Sequence, residues 1–244
     1  MKRRWRFGLW VLAALVFPHA GLSAAEMVVI GSTDPGLFGE GTIIDSEQVI
    51  EVPNGVSVTL MDESGAVTTV RGPYSAAVGA GESGKDDGLV EVVSSLFTEN
   101  PSFPLGAFRA MTPAKRQDPW AIDASTPGDK CATRGDAVTL WQPSQGRSGT
   151  LTLTHLDSGK SAEIEWPAKV AALDWPGDVP LVQGAKYDAM LSHQIRPNRF
   201  TLHIAEPAQS QGPQALAWLV NARCYAQAKA LLADLPVDRE LGGS

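Results

Sequence analysis

Cysteine is scarce in this chain. There are two in 244 residues, Cys131 and Cys224, and they never approach each other as C-x-x-C. That spacing excludes a thioredoxin-type redox motif and a four-cysteine zinc site. Histidine is almost as rare. Beyond the first 25 residues only His155, His193 and His203 remain, and none pairs with another His, Cys or acid in a recognisable metal-binding pattern. G-x-S-x-G is absent, which removes the local signature of the α/β-hydrolases. No apolar run after residue 25 approaches the roughly 20 residues that cross a bilayer. Basic side chains are also few: residues 26–244 carry 16 against 27 acidic ones, a net charge of −11. Nucleic acid and anionic lipid both demand basic surface, so neither is an expected partner.

What is present begins at the first residue. Lys2, Arg3, Arg4 and Arg6 precede an apolar run from Phe7 to Phe17, and Leu22, Ser23, Ala24 and Ala25 follow. This order predicts a cleaved secretory signal over residues 1–25, cut between Ala25 and Glu26. No cysteine near the cut can carry a lipid, and Arg3-Arg4 opens no twin-arginine pattern, so export as an unfolded chain is expected. The expected location is periplasmic or secreted, with no membrane span after cleavage. In an oxidising compartment Cys131 and Cys224 are expected to form a disulfide. The chain-entropy account credits a loop of that length with about 4–5 kcal/mol.

Charge divides the mature chain. Residues 26–99 carry 13 acids against Arg71 and Lys85, whereas residues 100–244 balance. Two units with different surfaces are expected. In residues 26–76 short apolar runs alternate with turn signals. Val56, Val58 and Leu60 alternate with Ser57 and Thr59, between Pro53-Asn54-Gly55 and Asp62-Glu63-Ser64-Gly65. The pattern predicts a small barrel or sandwich of hairpins. The rhythm of Gly31, Gly41, Val49, Pro53-Asn54-Gly55-Val56, Leu60, Gly65 and Gly72-Pro73-Tyr74 resembles the FecR-type periplasmic β domain. The resemblance covers about 50 residues and implies a periplasmic β module that contacts other proteins.

Residues 77–119 read as a Gly-rich loop, a short helix and a proline-rich linker. Leu89, Val92, Val93, Leu96 and Phe97 make one apolar helical face, with Asp87 as its cap. Residues 120–206 contain six strand candidates and a hairpin turn at Asp157-Ser158-Gly159-Lys160, which predicts a β-sandwich-like unit. Pro213 and Pro236 bracket one helix, expected to pack on the second unit with Cys224 facing inward. The fold class is therefore mainly β, with a short middle helix and a C-terminal helix.

Several motifs imitate chemistry. Residues 79–86 approximate a P-loop, but Asp86 occupies the Ser/Thr position and the surrounding acids repel phosphate. Asp157-Ser158-Gly159 matches half of an aspartic-protease signature and reads better as a turn. Glu165-Trp166-Pro167 and Asp174-Trp175-Pro176 form a near-repeat. Their rings either close a sandwich core or display a contact surface, with Trp141 as a third member. No catalytic residue, cofactor or metal is assigned. The expected function is non-enzymatic: binding, sensing or scaffolding toward another envelope protein. The alternatives are a hydrolase assembled from scattered residues, with His155 or His203 meeting a serine and an acid, and a carbohydrate-binding module using Trp166 and Trp175.

Overall fold

The computed structural model describes residues 25–79, 88–99, 118–135, 137–143 and 148–243. The expected leader through residue 24, the near-P-loop beyond Gly79, the expected Asp87 cap and the proline-rich stretch 100–117 lie outside the described residues. The fold is mainly β, with 40% of residues in strands and 18% helical.

The first unit is layered. Strands β1 (Glu26–Ser32), β2 (Ile43–Asp45), β4 (Ser57–Asp62), β5 (Val67–Arg71) and β15 (Arg239–Gly242) form one sheet in the order β15-β5-β4-β1-β2. All neighbours are antiparallel except β15, which lies parallel to β5. Strands β3 (Val49–Val52) and β6 (Tyr74–Ala77) pair separately. They cover one face of the sheet, where Met27, Val29, Leu60 and Val70 meet Ile50, Val52 and Val78. The other face, with Val28, Ile30, Met61 and Val67, is covered by helices. Both faces are thus dry, which is why Met27–Ile30 is continuously apolar rather than alternating.

Helix α1 (Leu89–Glu99) buries Leu89, Val93, Leu96 and Phe97 of the expected stripe, but Val92 is only half-buried and Val90, outside the stripe, is fully buried. The chain then builds the second unit. Strands β8 (Gly128–Thr133), β10 (Gly149–His155), β11 (Ser161–Trp166), β13 (Lys186–Leu191) and β14 (Asn198–Ala205) form a sheet in the order β11-β10-β13-β14-β8. Strands β7 (Ile122–Asp123), β9 (Thr139–Trp141) and β12 (Ala172–Asp174) form a smaller one, β12-β9-β7. Leu140, Leu151, Leu153, Tyr187, Phe200 and Leu202 fill the core they share.

The C-terminal segment departs from the expectation of one helix over 213–236 packed on the second unit. A 3-10 turn (Pro207–Gln209) leads into α2 (Gly212–Asn221) and α3 (Tyr225–Asp234), two separate helices. The break is a left-handed C-cap. Arg223 has φ 61°, its N–H donates to Val220 O, and the Cys224 N–H donates to Leu219 O. The apolar faces of both helices, carrying Leu216, Leu219, Val220 and Leu232, join α1 on the sheet of the first unit. β15 then completes that sheet at the β5 edge. The first unit is therefore discontinuous in sequence, and the sandwich is inserted between α1 and α2.

Candidate functional site

The two units are clasped at Cys131, on the outer strand β8. Its sulfur is bonded to Cys224 at the head of α3, with Cα atoms 6.0 Å apart and a sequence separation of 93. One turn later on α3, Gln227 reaches the same residue. Its Oε1 accepts the Cys131 N–H at 2.7 Å. Its Nε2 donates to Cys131 O and to Pro119 O, both at 2.7 Å. Cys131 turns these groups away from β14, where an edge strand would otherwise offer them to another chain. The carboxamide stands in for a neighbouring strand. Trp120 and Trp218 meet beside the clasp with ring centroids 6.1 Å apart. The sequence reading missed Gln227. The available signal was a lone amide three residues after Cys224, in the small and apolar run of α3.

The tryptophans of the near-repeat serve as corner posts. Trp166 Nε1 donates to Val170 O at 2.7 Å, and Trp175 Nε1 donates to Val179 O at 2.8 Å. In each case the valine N–H returns to the carbonyl of the intervening proline. The repeat is thus W-P-x-x-V, a strand end locked to the turn that follows it. Trp166 is 1% exposed, so it presents no ring to a ligand, which corrects its nomination as a contact residue. Trp175 is half-buried and meets Tyr187 edge-on at 5.2 Å. Trp141, also half-buried, lies on β9 in the smaller sheet.

The histidines do not converge. The Ser158 N–H donates to His155 Nδ1 at 3.2 Å, and Ser158 Oγ lies 2.7 Å from the same nitrogen. This makes Nδ1 the acceptor and leaves the proton on Nε2, which is buried without a hydrogen-bond partner. A Ser–His–Asp relay requires a carboxylate on the far nitrogen, and His155 has none. The pair instead locks the turn between β10 and β11, where Asp157-Ser158-Gly159 lies. His203, on β14, bonds Asp129 Oδ1 at 2.8 Å on neighbouring β8. His193 is exposed in the connection from β13 to β14. Among the described residues no three metal-ligating side chains come together.

Two buried lysines frame the clasp. Lys130 donates to Thr126 Oγ1 at 2.7 Å. Burial lowers its pKa, opposed by the charges of Asp123 and Asp129. Lys229 lies 5.7 Å above the Phe97 ring, and burial lowers its pKa against the charge of Glu40.

Besides a wider, less apolar hollow of about 470 Å³ between Ser148–Thr150 and Glu165–Ala168, a groove of about 330 Å³ opens at the far end of the helix pair. Met61 and Leu89 form part of its floor with Pro213, Leu216, Leu231 and Leu235. Ser64, Gly65 and Ala66, in the turn between β4 and β5, form one wall. Gly65 has φ +81°, and a Cβ there would lie 2.8 Å from Pro213 Cγ, so only glycine lets the turn approach α2 this closely. No protein-family model and no curated protein matches this chain.

Proposed function

We propose that the protein is an exported, non-catalytic binding module that acts by contact with another protein of the cell envelope. The groove at the ends of α2 and α3 carries this reading. It is mostly apolar, it is open, and it is assembled from three segments distant in sequence. The basic and apolar start of the chain supports periplasmic or secreted placement, as does the bonded cysteine pair. The FecR-like rhythm of residues 27–76 supports a role in protein contact. A buried Trp166 leaves the sugar-binding reading without its platform, and the separate placement of His155 and His203 gives the hydrolase reading no assembled centre.

Photo-crosslinking in intact cells tests the proposal. A benzophenone side chain replaces Leu235 in the groove, and a second replaces Lys160 on the distant hairpin turn. The expected result is one discrete adduct from position 235, none from position 160, and mature protein in the envelope fraction. Full-length protein in the cytosol, or no adduct from the groove at full expression, overturns it.

A further inference from the structure

The groove has a sign as well as a shape. Its floor is hydrocarbon, but one carboxylate lines it and two more, the buried Asp62 and the half-buried Glu63, lie at the start of the turn that walls it. Asp238 is in its wall, and Asp62 and Glu63 directly precede Ser64. Each is held by backbone N–H groups rather than by a base. Asp62 Oδ1 accepts from the N–H groups of Ser64 and Ala66 at 2.9 and 3.1 Å. Glu63 Oε2 accepts the Val90 N–H at 3.2 Å, and Asp238 Oδ2 accepts the Val67 N–H at 2.8 Å. None of the three has a cationic partner among the described residues. Arg239, the base adjacent in sequence, is committed to the carbonyls of Val78 and Gly79. The surroundings have the same sign: the described residues of the first unit, 26–79, 88–99 and 207–243, contain 13 acids and 4 bases.

We infer that the groove takes an extended segment of a partner protein in which an apolar side chain is flanked by lysine or arginine. The apolar side chain fills the floor between Leu89 and Leu235. The flanking bases meet Asp238 and Glu63, whose positions are already fixed by backbone donors and need no reordering on binding. A field of one sign around a dry floor attracts such a segment and repels acidic ones. This deepens the proposed function and rests on it, but it is tested independently.

The probes are two labelled hexapeptides, Lys-Lys-Leu-Phe-Lys-Lys and Glu-Glu-Leu-Phe-Glu-Glu, each with blocked ends. They are titrated into the mature, disulfide-bonded protein and read by fluorescence polarisation and amide shift mapping. At about 20 mM salt the basic peptide is expected to bind at least about tenfold more tightly than the acidic one. The gap should narrow to about threefold at 0.5 M, where the Debye length is only a few ångströms. Shifts should centre on Ala66, Leu89 and Leu235. Ala66→Phe, which fills the groove, should abolish binding. Glu63→Gln with Asp238→Asn keeps the acceptors and removes the charges, and should weaken the basic peptide roughly three- to tenfold with the melting curve unchanged. Equal binding of both peptides, no binding of either, or shifts confined elsewhere overturns the inference. So does a concentration-dependent dimer that Ala66→Phe dissociates, since a second copy would then be the occupant. Any of these results beside a discrete groove adduct in cells would sink the basic-segment inference and leave the binding-module reading standing.

Discussion

Gln227→Ala is the sharpest test of how the two units are held together. The wild-type amide satisfies three backbone groups, the Cys131 N–H and the carbonyls of Cys131 and Pro119, each at 2.7 Å. Gln227 is only 3% exposed, so water does not readily replace it. Each stranded buried group costs about 1–3 kcal/mol. With partial relaxation the sum is about 3–5 kcal/mol, which for a chain of this size lowers Tm by roughly 10 °C or more. Urea unfolding followed by circular dichroism, without reductant, measures it with the disulfide intact. Gln227→Glu sharpens the result. The carboxylate keeps the acceptor for Cys131 N–H but faces two carbonyls with no proton to give. Its folded-state pKa must therefore rise above the ordinary glutamate value. The sign follows: the variant is least stable where the carboxylate is ionised, near pH 7. Its deficit shrinks as pH falls through the raised folded pKa toward about 4.3. A loss under about 1 kcal/mol for the alanine variant, or a glutamate deficit independent of pH, would refute the strand-mimic account.

Other expectations can be checked by the same melts. Cys131→Ala with Cys224→Ala opens a loop of 93 residues' separation and should cost about 4–5 kcal/mol. Combined with Gln227→Ala its effect should be non-additive, because both act on Cys131. Arg223→Gly relieves a non-glycine residue held at φ 61° and should raise stability by about 0.5–1 kcal/mol, seen as a small increase in Tm. Asp188 accepts two bonds from Arg199, at 2.8 and 2.9 Å, and these hydrogen bonds hold its pKa below the usual value. A depressed carboxylate stabilises above its unfolded pKa and loses that contribution as pH falls through the folded one. Asp188→Asn should therefore melt below wild type at pH 7, with the difference closing under about pH 4.

In the sandwich, the strands legible in the sequence were those with one wet face; in the first unit β4 was legible from its alternation although Thr59, one of its polar positions, is itself buried. β10, β11, β13 and β14 alternate buried and less buried residues, and the matching strand candidates in the sequence, Thr150–Leu156, Ser161–Trp166, Tyr187–Ser192 and Phe200–Ile204, fall within one or two residues of them. Helix α1 was legible for the same reason at period 3.6. β8 was not, because it is covered on both sides. Cys131 joins the core under the helices while Ala132 joins the sandwich core. Lys130, buried beside them, removes any trace of alternation. β15 was hidden differently: Arg-Glu-Leu-Gly is short and charged, and only its register with Thr68–Arg71 makes it a strand. The break in the C-terminal helix carries no Gly or Pro, since Arg223 takes the left-handed position glycine usually fills. The clasp was half visible. Two cysteines announce a bond, but no local pattern announces a glutamine that imitates a strand. The groove was invisible, because its walls come from residues 61–66, 89 and 212–238.

Insertion of the sandwich also orders assembly. The sheet of the first unit is largely written by Arg71, yet α1 covers only part of its second face until Leu216, Leu219 and Leu232 arrive from the far end of the chain. Its β5 edge stays open until Arg239–Gly242 pairs with it. Burial of apolar surface is the main favourable term in folding, so the N-terminal residues lack much of their stabilisation until the last helix is made. Non-local closure of this kind is slow. For a chain proposed to cross a membrane unfolded, that delay is an advantage: the segment that emerges first cannot complete its core before the segment that emerges last. The cystine then closes on the same helix pair that completes the sheet. Clasp and groove thus lie at opposite ends of one structural element, and both depend on the C-terminal residues having docked on the first unit.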